Sequence, residues 1–465
     1  MHHFLFLATF FSLYSALEAS TLERIDPDEL HATCEEIEQT PHFRMMRNVL
    51  TQNFNYPIAQ NWDAVRSMDF LFSDEISSSF NPSNQKGSGR CWIYAALNML
   101  RCELNKKMAI SDFEFSASHL FFYDKVEKAN IFLERIIQNW SEPLDSQFIR
   151  FLLCHSIDDG GDWSVFVDLV NKYGLVPASV YPENASCHFS PPLNKVLRLK
   201  LTKDAHLLRE LLAKGATIDY AREVKKELLK QVYQILVVHM GAPPVTFDYS
   251  FYDKEKTLYQ FKKLTPLSFA AECIDYPLNE YAVLIHSPRN DTPYYTNYLI
   301  SNSGYMVGGT DRIGLNIPIE ELKKITKEML LADHAVCFSA DIASQSDRFT
   351  GLLDANLYEF DYIYQTDFSM TKSSRLKYLL SVPNHALLFT GVHLEDDIPI
   401  RWKVENSWGT DIGKNGFFVM NDNWFDEYVF GIIVPKNKLP EELQKLLSNP
   451  PTTLAPWDPL WSNSD

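Results

Sequence analysis

The sequence has no CxxC pair among its seven cysteines, at positions 34, 91, 102, 154, 187, 273 and 337. That scatter excludes a disulfide framework and a zinc ribbon or finger. The adjacent pairs Cys154-His155 and Cys187-His188 lack metal-ligand spacing, so neither a metal nor a cofactor is expected. Basic runs are also missing. The formal net charge of −17 leaves no basic face of the kind that nucleic acid or an anionic membrane would need. After the N-terminus no apolar run is long enough to span a bilayer.

What is present is a chain of 465 residues, 46% hydrophobic and 13% aromatic, enough to bury a large core in two or three lobes. The first nineteen residues, MHHFLFLATFFSLYSALEA, read as a secretory signal peptide cut near Ala19 or Ser20. The sequons at Asn139, Asn184 and Asn290 would be usable in a secretory compartment.

The stretch Asn84 to Trp92, NQKGSGRCW, leads into Trp92, Ile93, Ala96, Leu97, Leu100 and Leu104, an apolar series at spacings of three and four. This predicts a helix starting at or beside Cys91, with Gly87 and Gly89 permitting close approach of another chain. Helical patterns continue from about Phe115 to Tyr173, broken by DDGGDW at Asp158 to Trp163, and charge-rich helices and polar loops follow from Leu193 to about Leu331. The last third turns to strands: Ala335 to Ile342, His385 to Val392, and the alternating Ile400, Trp402 and Val404, with a hairpin into Phe417 to Met420. Helices first and antiparallel strands last imply an α+β protein. The final segment, with four prolines after Ser448, is expected to be extended rather than a regular element.

A thiol at a helix N-terminus is a nucleophile whose pKa the dipole lowers. It needs a base, a group to orient that base, and donors for an oxyanion. His385 and Asn406, 21 residues apart on successive strands, can supply the first two, the asparagine carbonyl fixing the imidazole tautomer. Gln85 can offer its amide beside the Cys91 N–H. His334, in DHAV, is a rival base, but it lies 72 residues from Asn406.

The motifs NQKGSGRCWIYAALNMLR, DGGDWSVFVDLVNKYGLVP, PNHALLFTGV and WKVENSWGTDIGKNGFF, with MGAPPVTFDY and YMVGG between them, resemble the bleomycin hydrolase or aminopeptidase C branch of the papain-like cysteine peptidases. The resemblance runs from about Ile58 to Asp465. It implies a two-lobed papain-like fold, a helical lobe facing an antiparallel β lobe, with a helical insertion and a C-terminal arm in the active-site cleft. The segments would be a leader at 1–19, an N-terminal extension at 20–80 packing on the core, the helical lobe with the nucleophile at 81–192, an insertion used for oligomer contacts at 193–331, the β-rich lobe at 332–440 and the arm at 441–465.

By the resemblance Cys91 is the nucleophile, His385 the general base and then acid, Asn406 the orienting residue, and Gln85 with the Cys91 N–H the oxyanion hole. Trp408 shields the His–Asn pair, and Gly160 and Gly161 pair with the substrate backbone. Ser88 stands where papain proper has a cysteine, so no disulfide braces the loop. The arm ends in WDPLWSNSD, and Asp465 with the terminal carboxylate would attract a substrate's α-ammonium. The implied activity is a cysteine aminopeptidase on peptides with a free N-terminus, acting also on amides such as bleomycin, and assembled as a homohexamer. A solvated tail would instead give an endopeptidase. The implied setting is secreted or lysosome-like through the leader, with cytoplasmic as the alternative. A silent scaffold or another Cys-His-Asn amidase would not need all these motifs together.

Overall fold

Proline-started helices and alternating apolar strands build two units in the computed structural model, which describes residues 23–78, 80–110 and 113–461. The expected leader and Asp465 lie outside the described residues. The smaller unit contains the described residues up to Asn61 together with Tyr358–Phe368. Its first two helices, Pro27–Gln39 and Pro41–Leu50, each begin on a proline, whose fixed φ suits the first turn, and Asp26 accepts from the Asp28 N–H as an N-cap. Within this unit Tyr56 stands edge-on to Tyr358 and Phe360, and the Glu359 N–H donates to the Ala59 carbonyl.

The larger unit, Trp62–Leu357 with Ser369–Asp465, carries the predicted site. Its central helix, Cys91–Met108, is the one the apolar spacing predicts; Tyr94, Ala95, Asn98 and Met99 are buried as well, so it is enclosed on all sides. Ala117–Gln138, capped by Ser116, packs with Pro191–Ala213 and Ile218–Met240, whose Leu193, Leu197, Leu201 and Leu208, and Val232, Leu236 and Met240, face the core. DDGGDW breaks the helices as expected. Asp162 caps Trp163–Tyr173 by accepting from the Ser164 N–H at 2.7 Å.

The strand-rich part forms one twelve-stranded sheet among the described residues. Val336–Ala340, His385–Glu395, Ile398–Glu405 and Phe417–Asn421 follow one another antiparallel, in the order the alternation predicts. With the helices this is an α+β, papain-like architecture. The 193–331 segment departs from its helical reading in its second half. Tyr281–Ile285, Thr296–Ile300 and Ile313–Asn316 join the same sheet beyond Val429–Pro435, and Phe247–Tyr252 with Leu258–Leu264 forms a separate hairpin.

The C-terminal segment also differs from expectation. Thr452–Leu454, between Pro451 and Pro456, pairs parallel with Thr296–Ile300 as an edge strand. An edge needs only one ladder, so prolines flanking three free residues are compatible with it. Among the described residues no helix is long and apolar enough to cross a membrane.

Candidate active site

The loop before the cysteine helix is fixed from several sides. The Gln85 N–H donates to the Ser407 carbonyl at 2.8 Å, and the Gly409 N–H donates to the Ser83 carbonyl at 3.0 Å, tying this loop to the end of Ile398–Glu405. The Gln85 side chain is 7% exposed. Its Nε2 donates to the Ser88 carbonyl and its Oε1 accepts from the Ser407 hydroxyl, an orientation that the carbonyl partner dictates. One Nε2 proton remains for an oxyanion.

The brace that a disulfide would give is supplied by hydrogen bonds. The Ser88 hydroxyl donates to the Gln85 carbonyl at 2.6 Å and accepts from Arg90 Nε at 2.8 Å. Arg90, fully buried, makes a bidentate pair with Glu183 at 2.8 and 2.7 Å. All seven cysteines are free thiols.

Gly87 and Gly89 do allow close approach, but the partners come from this chain. A Cβ on Gly87 would stand 2.7 Å from the Phe189 ring, and one on Gly89 would stand 2.8 Å from Asp159 Cβ. Asp159 is the residue that sequence reasoning missed. Its carboxylate accepts from the Gly89 N–H at 2.9 Å, Lys125 Nζ at 2.7 Å, Asn194 Nδ2 at 2.7 Å and the Ser190 hydroxyl, while its carbonyl accepts from Trp92 Nε1 at 2.8 Å. These donors, Lys125 foremost, hold its carboxyl well below the usual range against the opposing effect of burial.

Beside it, Lys128 Nζ donates to the carbonyls of Asp158 and Gly160. A Cβ on Gly161 would enter the Trp92 ring at 2.4 Å, which is why glycine is needed there. The Gly160 carbonyl is thus occupied, whereas Gly161 makes no hydrogen bond among the described residues. Of the two, Gly161 is the one whose backbone is available to a ligand strand.

On the facing wall His385 opens its strand, and its Nε2 lies 2.9 Å from Asn406 Oδ1. That bond leaves Nδ1 as the second ring nitrogen. The strands pair only as far as Leu388 and Glu405, so His385 and Asn406 meet just beyond the ladder rather than as register partners. The Trp408 ring centroid is 4.9 Å from that of His385, tilted by 38°. Asn406 is 1% exposed and its Nδ2 has no partner. His334 is elsewhere, with Nδ1 3.1 Å from Glu103 Oε1. Asn384, next to His385, donates to Asp341 at 2.6 Å.

Cys91, Gln85, Gly160, Gly161 and His385 line one cleft of about 860 Å³. Leu460 of the C-terminal segment lines the same cleft. Three backbone N–H groups, of Ala386, Trp92 and Cys91, act on the thiol and favour the thiolate, but burial outweighs them and pushes the Cys91 thiol up. Burial likewise brings His385 down to about 4 against the bond from Asn406. Desolvation thus opposes the lowering of the thiol pKa expected from the helix N-terminus and, for each group taken by itself, favours the neutral form. No cluster among the described residues could hold a metal ion.

Known proteins resemble this chain in sequence and in fold. Residues 24–461 match the Peptidase C1-like family. Aminopeptidase C of Streptococcus thermophilus is 37% identical over 426 residues, 91% of this chain and 96% of that one. Aminopeptidase C of Listeria innocua is 36% identical over 94% of this chain and 98% of its own. The crystal structure of PepW from Lactobacillus rhamnosis superposes with a TM-score of 0.91 at 39% identity, covering 94% of this chain and 98% of that one. The chain belongs to the Peptidase C1-like family, in the bleomycin hydrolase branch of the papain-like cysteine peptidases.

Proposed function

We propose that this chain is a cysteine aminopeptidase that removes N-terminal residues from peptides through an acyl-enzyme on Cys91. The observation that carries the reading is the cleft itself, where Leu460 of the C-terminal arm stands on the same lining as Cys91 and His385. An arm in that place restricts one side of the scissile bond, which suits a substrate that ends there in a free amine.

In the reaction the Cys91 proton passes to His385 as the sulfur attacks the peptide carbonyl carbon. The carbonyl electron pair moves to oxygen, which the Cys91 N–H and the remaining Gln85 Nε2 proton stabilise. His385 returns the proton to the departing amine nitrogen, and the C–N bond breaks. Water then gives a proton to His385, attacks the thioester and releases the acid, restoring the thiol. Asn406 holds the imidazole through Nε2, Trp408 covers that pair, and Gly161 aligns the substrate backbone. In this reading the Asp465 side chain, which lies outside the described residues, attracts the substrate's α-ammonium. Amides of the bleomycin type fit the same chemistry.

Residues 1–19 serve as a leader to a secreted or lysosome-like setting in this reading, supported by a family match that starts only at residue 24. N-terminal sequencing of the protein from its own cells separates this from a cytoplasmic setting. Assembly as a homohexamer rests on the resemblance, and light scattering measures it.

The deciding experiment compares a fluorogenic peptide with its N-acetylated twin, on the intact chain and on one ending at Pro459. Cleavage of only the free amine by the intact chain, with the acetylated peptide admitted after truncation, is expected. Equal cleavage of both by the intact chain would make the protein an endopeptidase.

A further inference from the structure

The C-terminal arm is held by a charge clamp whose other half lies 169 residues earlier in the chain. Arg289 Nη1 and Nη2 donate to the two carboxylate oxygens of Asp458 at 2.9 and 3.1 Å, and Arg289 Nε and Nη2 donate to Asp291 at 3.0 and 2.8 Å. The side chains of Arg289 and Asp458 are 6% and 10% exposed. Asp458 Oδ1 also accepts from the Leu460 N–H at 3.0 Å, which sets the turn that delivers Leu460. Leu460, buried, packs with Ile285, Tyr298, Leu376, Val382 and Phe430 at the edge of the cleft.

The loop carrying Arg289 is itself rigid. Asn316, fully buried, accepts from the Ser287 N–H at 2.8 Å and donates to the carbonyls of Ser287 and Thr292 at 3.0 and 2.7 Å. A planar fork on a fixed loop gives the bidentate pair direction as well as strength. Edge pairing alone would not suffice, since Thr452–Leu454 is three residues long and ends before the cleft.

We propose that Arg289 is a specificity-determining positioning residue: through Asp458 it seats Leu460 and so fixes where the arm ends, which sets how many substrate residues fit on the amino side of Cys91. The proposal rests on the aminopeptidase reading. Without the clamp the arm keeps its edge strand but its last turn swings clear, and substrates with a blocked amine enter.

The test uses full-length Asp458→Asn and Arg289→Gln, with thermal unfolding as the check on folding, and measures kcat/KM for the free-amine peptide and its acetylated twin. Each variant should raise the blocked-to-free ratio at least about tenfold, as expected when a buried bidentate ion pair is lost. Asp458→Glu should recover part of the selectivity. In the chain ending at Pro459 the same substitutions should add nothing, because the residues they position are gone. If Arg289→Gln fails to fold, Asp458→Asn, on the arm itself, decides. A folded variant with an unchanged ratio overturns the clamp. If the unsubstituted chain already cleaves both peptides equally, the aminopeptidase reading falls and the clamp falls with it.

Discussion

Cys91 and His385 are pulled toward their neutral forms by the same burial that makes the cleft usable, and this has measurable consequences. His385 sits at about 4, below its ordinary 6.5, so the basic imidazole is present above about 4 and is lost as pH falls through that value. The acid limb of kcat/KM is therefore expected near pH 4, and because burial raises the thiol, the alkaline limb belongs above the ordinary thiol range. The resting enzyme should show no ultraviolet thiolate band at neutral pH; such a band, or an alkaline limb close to neutrality, would refute the neutral pair. Gln85 gives a second handle. Gln85→Ala removes the one free Nε2 proton and should lower kcat by about 10²–10³ with a smaller change in KM. An effect confined to KM would remove Gln85 from the oxyanion site.

At the scale of elements, the turn at Asp158–Asp162 joins the cysteine helix to its neighbours. Among the described residues Asp159 is the anion at bonding distance from buried Lys125, with side-chain exposures of 10% and 0%. Asp159→Asn removes the charge paired with that ammonium and leaves one oxygen for four donors, so it should cost about 3–5 kcal/mol in denaturant unfolding, together with activity. A loss below about 1 kcal/mol would mean that Lys125 finds its charge balance elsewhere. This hub also shows where sequence reading stops. The helix from Cys91 was legible because its apolar spacing is local, and His385 and Asn406 because each stands at one end of a run that reads as a strand. The Asp159 carboxylate takes donors from Gly89, from Lys125, and from Ser190 with Asn194, three separate segments that no local pattern connects. The strands Tyr281–Ile285 and Thr296–Ile300 escaped for a similar reason, being five-residue runs separated by a polar loop, too short to show a period. Thr452–Leu454 is a strand only because Thr296–Ile300 offers it an edge. The arm's place in the cleft was an implication of the resemblance alone.

For the whole molecule, buried titratable groups set the response to acid. His119, His286 and His385 are held at about 4, 3 and 4 by burial. Each contributes stability that is complete above about 6.5 and is lost as pH falls through the folded value, on the order of 3 kcal/mol apiece. Asp124 and Glu405 act with the opposite sign: burial raises them to about 6 and 7, so their contribution is present at low pH and is lost as pH rises through those values. The histidines should dominate. Three buried histidines lose their contribution over this range against two carboxylates that gain, and the values for Asp124 and Glu405 already carry the pull of Lys128 and Arg101. No carboxylate offsets the buried charge at His286, which faces the Ile317 carbonyl, the Tyr294 ring and the positive field of Lys372. The thermal midpoint is therefore expected to fall between about pH 7 and about pH 4, and His286→Gln should flatten that fall. A midpoint that holds steady or rises across the range would show that the carboxylates prevail.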